Sequence, residues 1–280
     1  MQLIKLINLL FFTPNLKNNL HIRSFKKMDL SSKKKNFEID DYIPKKYNKK
    51  SLNNYIHKTY DQKSLNNNYI PKTFNQEEYQ TSLNNNNLNL LFCIGPAGSG
   101  KTLFACKYAI ESLEYGKTSK IIITRPTIQI DENMGFLPGN IKEKMYPWTI
   151  PIFDIFEEYY SKKDISKLIT DNMIEIAPLG FMQGRTFKNS IIIADEMQNS
   201  TPNQMFMLLT RLGEKSKMII TGDLMQTKNE NNGLNDIIKK IDIKYDEEIL
   251  YEKKIKIINM KNIDIQRHQI VSTITELYNK

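Results

Sequence analysis

The chain has 280 residues, 40% of them hydrophobic and 25% charged, which fits one large globular domain with an additional segment. Its formal charge of +9 is unevenly placed, because residues 1–90 carry 15 Lys and Arg against 7 Asp and Glu, and the remainder 25 against 24. The two cysteines, Cys93 and Cys106, are predicted to be small core residues, so nothing in the sequence indicates a disulfide framework, and a reducing compartment is favoured.

Residues 1–69 form a basic, Asn- and Lys-rich segment of low complexity, which we predict to be disordered. Residues 51–62 return as residues 64–76, which indicates a local duplication and not a solenoid. A basic arm can bind nucleic acid or an anionic surface, or it can be a solvated tail without a partner, and both interpretations stay open.

The apolar stretch near the N-terminus, residues 3–12, contains Lys5 and Asn8 and is too short to span a bilayer. No clear small-residue cleavage site follows it, which argues against secretion. We therefore expect a cytoplasmic protein with no integral membrane association, and leave organelle import open because residues 17–27 are basic and poor in acids.

The most informative stretch begins with an apolar run of strand length, Leu90–Ile94, and continues as G-x-x-x-x-G-K-T before an amphipathic helix predicted over residues 103–115. In this context the pattern is typical of a phosphate-binding P-loop rather than of a turn that only joins a strand to a helix. Glycines let backbone N–H groups face phosphate oxygens, Lys101 brings a positive charge, and the Thr102 hydroxyl can bind Mg²⁺. We predict that a nucleoside triphosphate binds at Gly95, Pro96, Ala97, Gly98, Ser99, Gly100, Lys101 and Thr102.

Past the P-loop, short apolar strands alternate with helices, which predicts an α/β fold with a parallel sheet covered by helices on both faces. Polar loops are expected at residues 135–139 and 181–186. The predicted strands are 120–126, 173–178, 190–196, 217–223 and 254–260, and the predicted helices are 201–212, 234–241 and a broken, aromatic-rich segment at 142–160.

Several polar side chains follow these strands, and ligands of parallel sheets bind outside the carboxyl ends of the strands. Asp195 and Glu196 follow the strand that begins at residue 190, and Arg125 and Asp223 follow two others. A strand-end Asp-Glu pair alone is usually solvated. With a P-loop upstream, we predict that Asp195 holds Mg²⁺ and that Glu196 accepts a proton from, or orients, an attacking water.

From about residue 70 to residue 278 the chain resembles the PhoH family, P-loop ATPases similar to the first motor domain of superfamily 1 helicases. The family usually has Ala at the position of Met197, and the resemblance does not cover residues 1–69. It implies a RecA-like P-loop NTPase domain over residues 70–280. The matching stretches are 95–102, 124–126, 135–139, 184–186, 195–199, 210–213, 221–223 with Gln226, and 267–268 with Val271.

The resemblance also implies roles for individual residues. It implies that Gln76 recognises the adenine and that Asp223 and Gln226 sense the γ-phosphate. It also implies that Arg267 is an arginine that contacts the phosphate being transferred. Arg125, with Pro126, resembles a segment that touches single-stranded nucleic acid. Arg125 and Arg211 can also be ordinary charges at the ends of a strand and a helix.

Two functions of different classes follow. One is an ATPase that remodels or translocates on RNA or single-stranded DNA, with Tyr146 and Trp148 as stacking platforms. The other is a nucleotide-dependent regulatory switch, associated through the family name with phosphate starvation.

A single motor core has no second domain to face its γ-phosphate, so we expect a homo-oligomer, such as a ring, in which Arg267 acts in trans, with action in cis as the alternative.

Overall fold

The computed structural model describes residues 69–126, 141–227, 231–266 and 270, with side chains of the helix that begins at residue 141 described from residue 148. The predicted disordered segment, apart from Tyr69, and the predicted loop at 135–139 lie outside these residues. Arg267 and the side chain of Tyr146 also lie outside them.

The described strands form one six-stranded parallel sheet in the order β3-β2-β4-β5-β1-β6. The P-loop strand β1 therefore lies between β5 and β6, and β4, which leads to Asp195, lies on the other side of β5. Most strand residues are apolar and buried, as expected for a sheet covered on both faces. The strands are β1 Leu90–Ile94, β2 Lys120–Thr124, β3 Ile174–Ile176, β4 Ser190–Ala194, β5 Lys217–Gly222 and β6 Ile255–Asn259.

Seven α-helices of the described residues pack on the two faces of this sheet. Alternate residues of a strand point to opposite faces, so Cys93 contributes to the core under α1 to α4, whereas Phe92 contributes to the core under α5 to α7. This arrangement confirms the predicted RecA-like P-loop NTPase fold. The helices are α1 Phe74–Asn84, α2 Lys101–Glu114, α3 Ile141–Glu157, α4 Lys162–Thr170, α5 Pro202–Leu209, α6 Gly233–Lys244 and α7 Glu247–Glu252.

The prediction of a broken helix at 142–160 is wrong, because α3 continues through Pro147 and Pro151. Each proline removes a helical hydrogen bond. The helix nevertheless buries Ile152, Phe153 and Phe156 in the core, and this packing offsets the lost bonds.

Three helices, α1, α4 and α7, were not predicted, because they are short or polar and their apolar residues are few. Each begins at a side chain that caps it. Thr73 accepts a hydrogen bond from Gln76 N, Ser161 from Asp164 N and Asp246 from Ile249 N.

Both cysteines are buried and free, as predicted. None of the helices in the described part of the chain combines the length and the hydropathy needed to cross a bilayer.

Lys217, at the start of β5, is a buried cation that joins the sheet to the end of α1. Its Nζ donates hydrogen bonds to Leu83 O and, at 2.9 Å, to Asn85 O, and it lies 4.9 Å from the centre of the Tyr108 ring. Burial, with a smaller contribution from Lys117, lowers the pKa of Lys217 to about 8.

We predict that Lys217→Met removes a pH dependence of stability. In the unfolded chain a lysine has a pKa of about 10.4. Between pH 8 and pH 10 the unfolded state therefore binds more protons than the folded state, so the free energy of unfolding of the wild type should rise with pH in this window. Urea unfolding of both proteins from pH 7 to pH 10 measures this rise.

Lys239→Met, at an exposed position of α6, is the matched control and should keep the wild-type rise. Parallel pH profiles for the wild type and Lys217→Met would contradict the assignment.

Candidate nucleotide-binding and catalytic site

The P-loop pattern, residues 95–102, follows β1 and includes the first two residues of α2, which begins at Lys101 and not at the predicted residue 103. Two of its glycines are required by geometry. Gly95 has φ +149°, and a Cβ at this position would lie 2.4 Å from Met260 O, at the end of the neighbouring strand β6. Gly100 has φ +92° and precedes the first residue of α2. Larger residues at these positions would be strained.

Lys101 points back into its own loop. Its Nζ donates hydrogen bonds to Gly95 O at 2.7 Å and Pro96 O at 2.8 Å, and the residue is 9% exposed. Burial lowers the pKa of Lys101, although nearby carboxylates, including Asp223, oppose the shift. A desolvated ammonium with only neutral carbonyl partners gains from a phosphate oxygen, which is a charged acceptor.

Asp195 brings the P-loop and the sheet together. It follows β4, is 4% exposed, and its Oδ1 accepts hydrogen bonds from Thr102 Oγ1 at 2.8 Å and Thr221 Oγ1 at 2.5 Å. Thr221 belongs to β5, the strand between β4 and the P-loop strand, so its hydroxyl lies where it can bridge to the carboxylate.

The hydroxyl of Thr102 and the carboxylate of Asp195 suit Mg²⁺, which prefers oxygen ligands and is usually held by one or two protein groups together with phosphate. In the described ranges no cluster of three or more His, Cys, Asp or Glu side chains could hold a metal.

Glu196 has a left-handed backbone, with φ 55° and ψ 39°, which is uncommon for a residue with a side chain. Its Oε2 accepts a hydrogen bond from Gln198 Nε2 at 2.6 Å, and its Oε1 lies 3.9 Å from Arg125 Nη2. Arg125 also donates from Nη1 to Trp148 O at 3.2 Å. The structure thus brings together the side chains predicted at the ends of β2 and β4.

Gln198 was not predicted as a site residue, yet it connects two that were. It is 2% exposed, and its Oε1 accepts a hydrogen bond from Asp223 N at 3.1 Å, while its Nε2 binds Glu196. The carboxylate of Asp223 in turn accepts from Met225 N at 3.0 Å. Gln198 therefore fixes the position of Glu196 relative to the end of β5.

The side chains of Gln226, Arg211 and Gln76 make none of the contacts of this network that are described above. Gln226 is exposed in the short 3-10 turn Leu224–Gln226, and its backbone N donates to Asp223 O at 3.2 Å. The guanidinium of Arg211 donates to the carbonyls of Met207 and Arg185 at 3.0 Å, as an ordinary charge at a helix end would. Gln76 is buried behind the P-loop, with its side chain bonded to backbone.

The family model described as PhoH-like protein matches residues 69–279, and the match includes every site residue described above. The chain belongs to the PhoH family. The PhoH-like protein of Bacillus subtilis is 41% identical over 215 residues, covering 75% of this chain and 63% of that protein.

Two further members of the PhoH family are similar to this chain at comparable identity. The PhoH-like protein of Mycobacterium tuberculosis is 38% identical over 208 residues, covering 74% of this chain and 57% of its own length. Protein PhoH of Escherichia coli is 40% identical over 164 residues, which cover 55% of this chain and 45% of that protein. The matched region thus spans less than two thirds of these relatives.

Among solved structures, the chain is similar to the Pif1 helicase of Candida albicans, with a TM-score of 0.37, 14% identity, and coverage of 75% of this chain and 44% of that one. It is also similar to a Sulfolobus solfataricus SWI2/SNF2 ATPase core in complex with dsDNA, with a TM-score of 0.40 and 13% identity. The match covers 68% of this chain and 44% of that one.

We predict that Gly95→Ala lowers the free energy of unfolding by roughly 2–4 kcal/mol, because the added Cβ meets Met260 O in a strained backbone conformation. Urea unfolding measures the change. Gly180→Ala is the matched control, since a Cβ there meets nothing within 4 Å, and it should stay within about 1 kcal/mol of the wild type. Equal stability of the two variants would contradict the close approach of β1 and β6 at this point.

Proposed function

We propose that this chain binds ATP with Mg²⁺ and hydrolyses it, and that hydrolysis is coupled to the binding or remodelling of RNA or single-stranded DNA. The observation that supports this best is the 2.8 Å hydrogen bond between Thr102 Oγ1 and Asp195 Oδ1 beside Lys101. This bond joins a hydroxyl of the P-loop to a carboxylate at the end of β4, and Lys101 precedes that hydroxyl in the chain.

In this proposal each side chain has a separate task. Lys101 exchanges its two loop carbonyls for oxygens of the β- and γ-phosphates, and Thr102 and Asp195 would hold Mg²⁺, which neutralises charge on the phosphates when bound. Glu196 orients the attacking water and accepts its proton. Gln198 keeps the Glu196 carboxylate in position.

The Arg125–Glu196 pair suggests how nucleic acid could act on hydrolysis. Arg125 lies at the end of β2, where the family resemblance implies contact with single-stranded nucleic acid. A phosphate of a bound strand would compete with Glu196 for the guanidinium and leave the carboxylate available to the water. The half-buried Trp148 and the basic N-terminal segment would add contacts to bases and backbone.

We also propose a homo-oligomer in which Arg267 of one subunit acts at the γ-phosphate held by another. Gln226 senses that phosphate, and the roles of both residues are those that the family resemblance implies. Arg267→Ala would then bind ATP yet hydrolyse it slowly, and mixing it with Lys101→Ala would restore some activity. We further propose a cytoplasmic location, which fits the two free cysteines.

We predict that Lys101→Ala abolishes ATP hydrolysis, and that Glu196→Gln binds ATP but hydrolyses it at least about a hundredfold more slowly, because removing a general base typically costs this much or more. Phosphate release and nucleotide binding measured on the same preparations test this. Lys107→Ala, in the same helix as Lys101 but at a half-buried position away from the loop, is the control. Unchanged turnover in Lys101→Ala would contradict the site.

We also predict that poly-U RNA or single-stranded DNA stimulates hydrolysis, and that the stimulation falls steeply as salt is raised. Arg125→Ala should lose the stimulation. Hydrolysis that proceeds unchanged with every nucleic acid would favour the second function, a nucleotide-dependent switch that controls a partner protein.

A further inference from the structure

Gln76, on the first turn of α1, has its side chain turned into the protein. It is 2% exposed. Its Nε2 donates to Ser99 O in the P-loop at 3.1 Å and to Asp264 O at 3.0 Å, while its Oε1 accepts from Lys72 N at 2.9 Å. A glutamine amide has two N–H donors, so both donors of Gln76 are already used on backbone carbonyls.

The segment after β6 that receives one of these bonds is itself fixed by a buried carboxylate. Asp264 is 0% exposed, and it accepts hydrogen bonds from Thr73 Oγ1, from Asn75 Nδ2 at 2.8 Å and from Lys261 N at 2.6 Å. Burial alone would raise the pKa of Asp264, but these hydrogen bonds outweigh it and lower the pKa. The start of α1 and the segment after β6 therefore form one rigid support.

This support donates hydrogen bonds to two successive carbonyls of the P-loop. Gln266 N donates to Gly98 O at 2.9 Å, and Gln76 donates to Ser99 O. A P-loop binds phosphate only when its N–H groups face inward, and this requires the carbonyls of the same residues to face away. Donors on the outer side hold those carbonyls and so hold the loop in its binding conformation.

We infer that Gln76 is a positioning residue for the P-loop and does not read the base of the nucleotide. To contact a base, its amide would have to leave two backbone carbonyls, and leaving a buried polar group unpaired is unfavourable. The inference rests on the proposed function only in that the P-loop binds a chain of phosphates. It has a direct consequence. Replacing Gln76 should weaken the binding of every ligand that carries a chain of phosphates, whether or not the ligand has a base.

The test compares ATP with tripolyphosphate, which has no base, each in the presence of Mg²⁺. Affinities are measured by competition against a fluorescent adenine nucleotide for the wild type, Gln76→Ala and Gln76→Met. Methionine keeps the volume of the buried side chain but donates no hydrogen bond, so it provides a folded variant if the alanine variant unfolds. Gln80→Ala, one turn further along α1, is the matched control.

We expect both Gln76 variants to bind ATP and tripolyphosphate about tenfold more weakly, by the same factor, and Gln80→Ala to match the wild type. A loss confined to ATP, with tripolyphosphate unchanged, would show that Gln76 reads the base and would overturn the inference. Unchanged affinity for both ligands would overturn it as well. The comparison needs only binding, so a wild type that binds ATP without hydrolysing it would refute the proposed activity and leave this test intact.

Discussion

The site depends on one contact, the hydrogen bond from Thr102 Oγ1 to Asp195 Oδ1. The strand order makes it possible, because β5 separates the strands that lead to these two residues and supplies Thr221 as a second donor to the same oxygen. A carboxylate that is 4% exposed is stable only with such partners. The same partners keep it where a cation bound to the phosphates would need a ligand.

A second set of contacts links the end of each central strand to the next. Glu196 takes a left-handed backbone directly after Asp195, which separates the two carboxylates and gives them different neighbours. Asp195 faces the P-loop hydroxyl, whereas Glu196 faces Arg125 and Gln198. Gln198 also accepts a hydrogen bond from the backbone of Asp223, so one side chain connects the end of β5 with Glu196.

The fold could be predicted largely from the sequence, because most of its strands are short, mainly apolar runs and its P-loop pattern is specific. The helix through Pro147 and Pro151 and the polar helix α1 could not, since tertiary packing and caps decide them. In the site, the residues predicted at the ends of strands lie near one another in the structure, and their chemical roles stay predictions. Thr221 and Asp264 were missed, because their side-chain partners lie 26 and at least 189 positions away in the chain, which no local pattern indicates.

If the Thr102–Asp195 contact is the place where a divalent cation joins nucleotide to protein, the most direct measurement is the affinity for ATP with Mg²⁺ and with EDTA, in the wild type and in Asp195→Asn. The wild type should bind ATP at least about tenfold more tightly with Mg²⁺, since the cation bridges phosphate to the protein. The Asp195→Asn variant should lose this gain while it still binds ATP in EDTA. An Asp195→Asn variant with the full Mg²⁺ effect would contradict the role of this carboxylate.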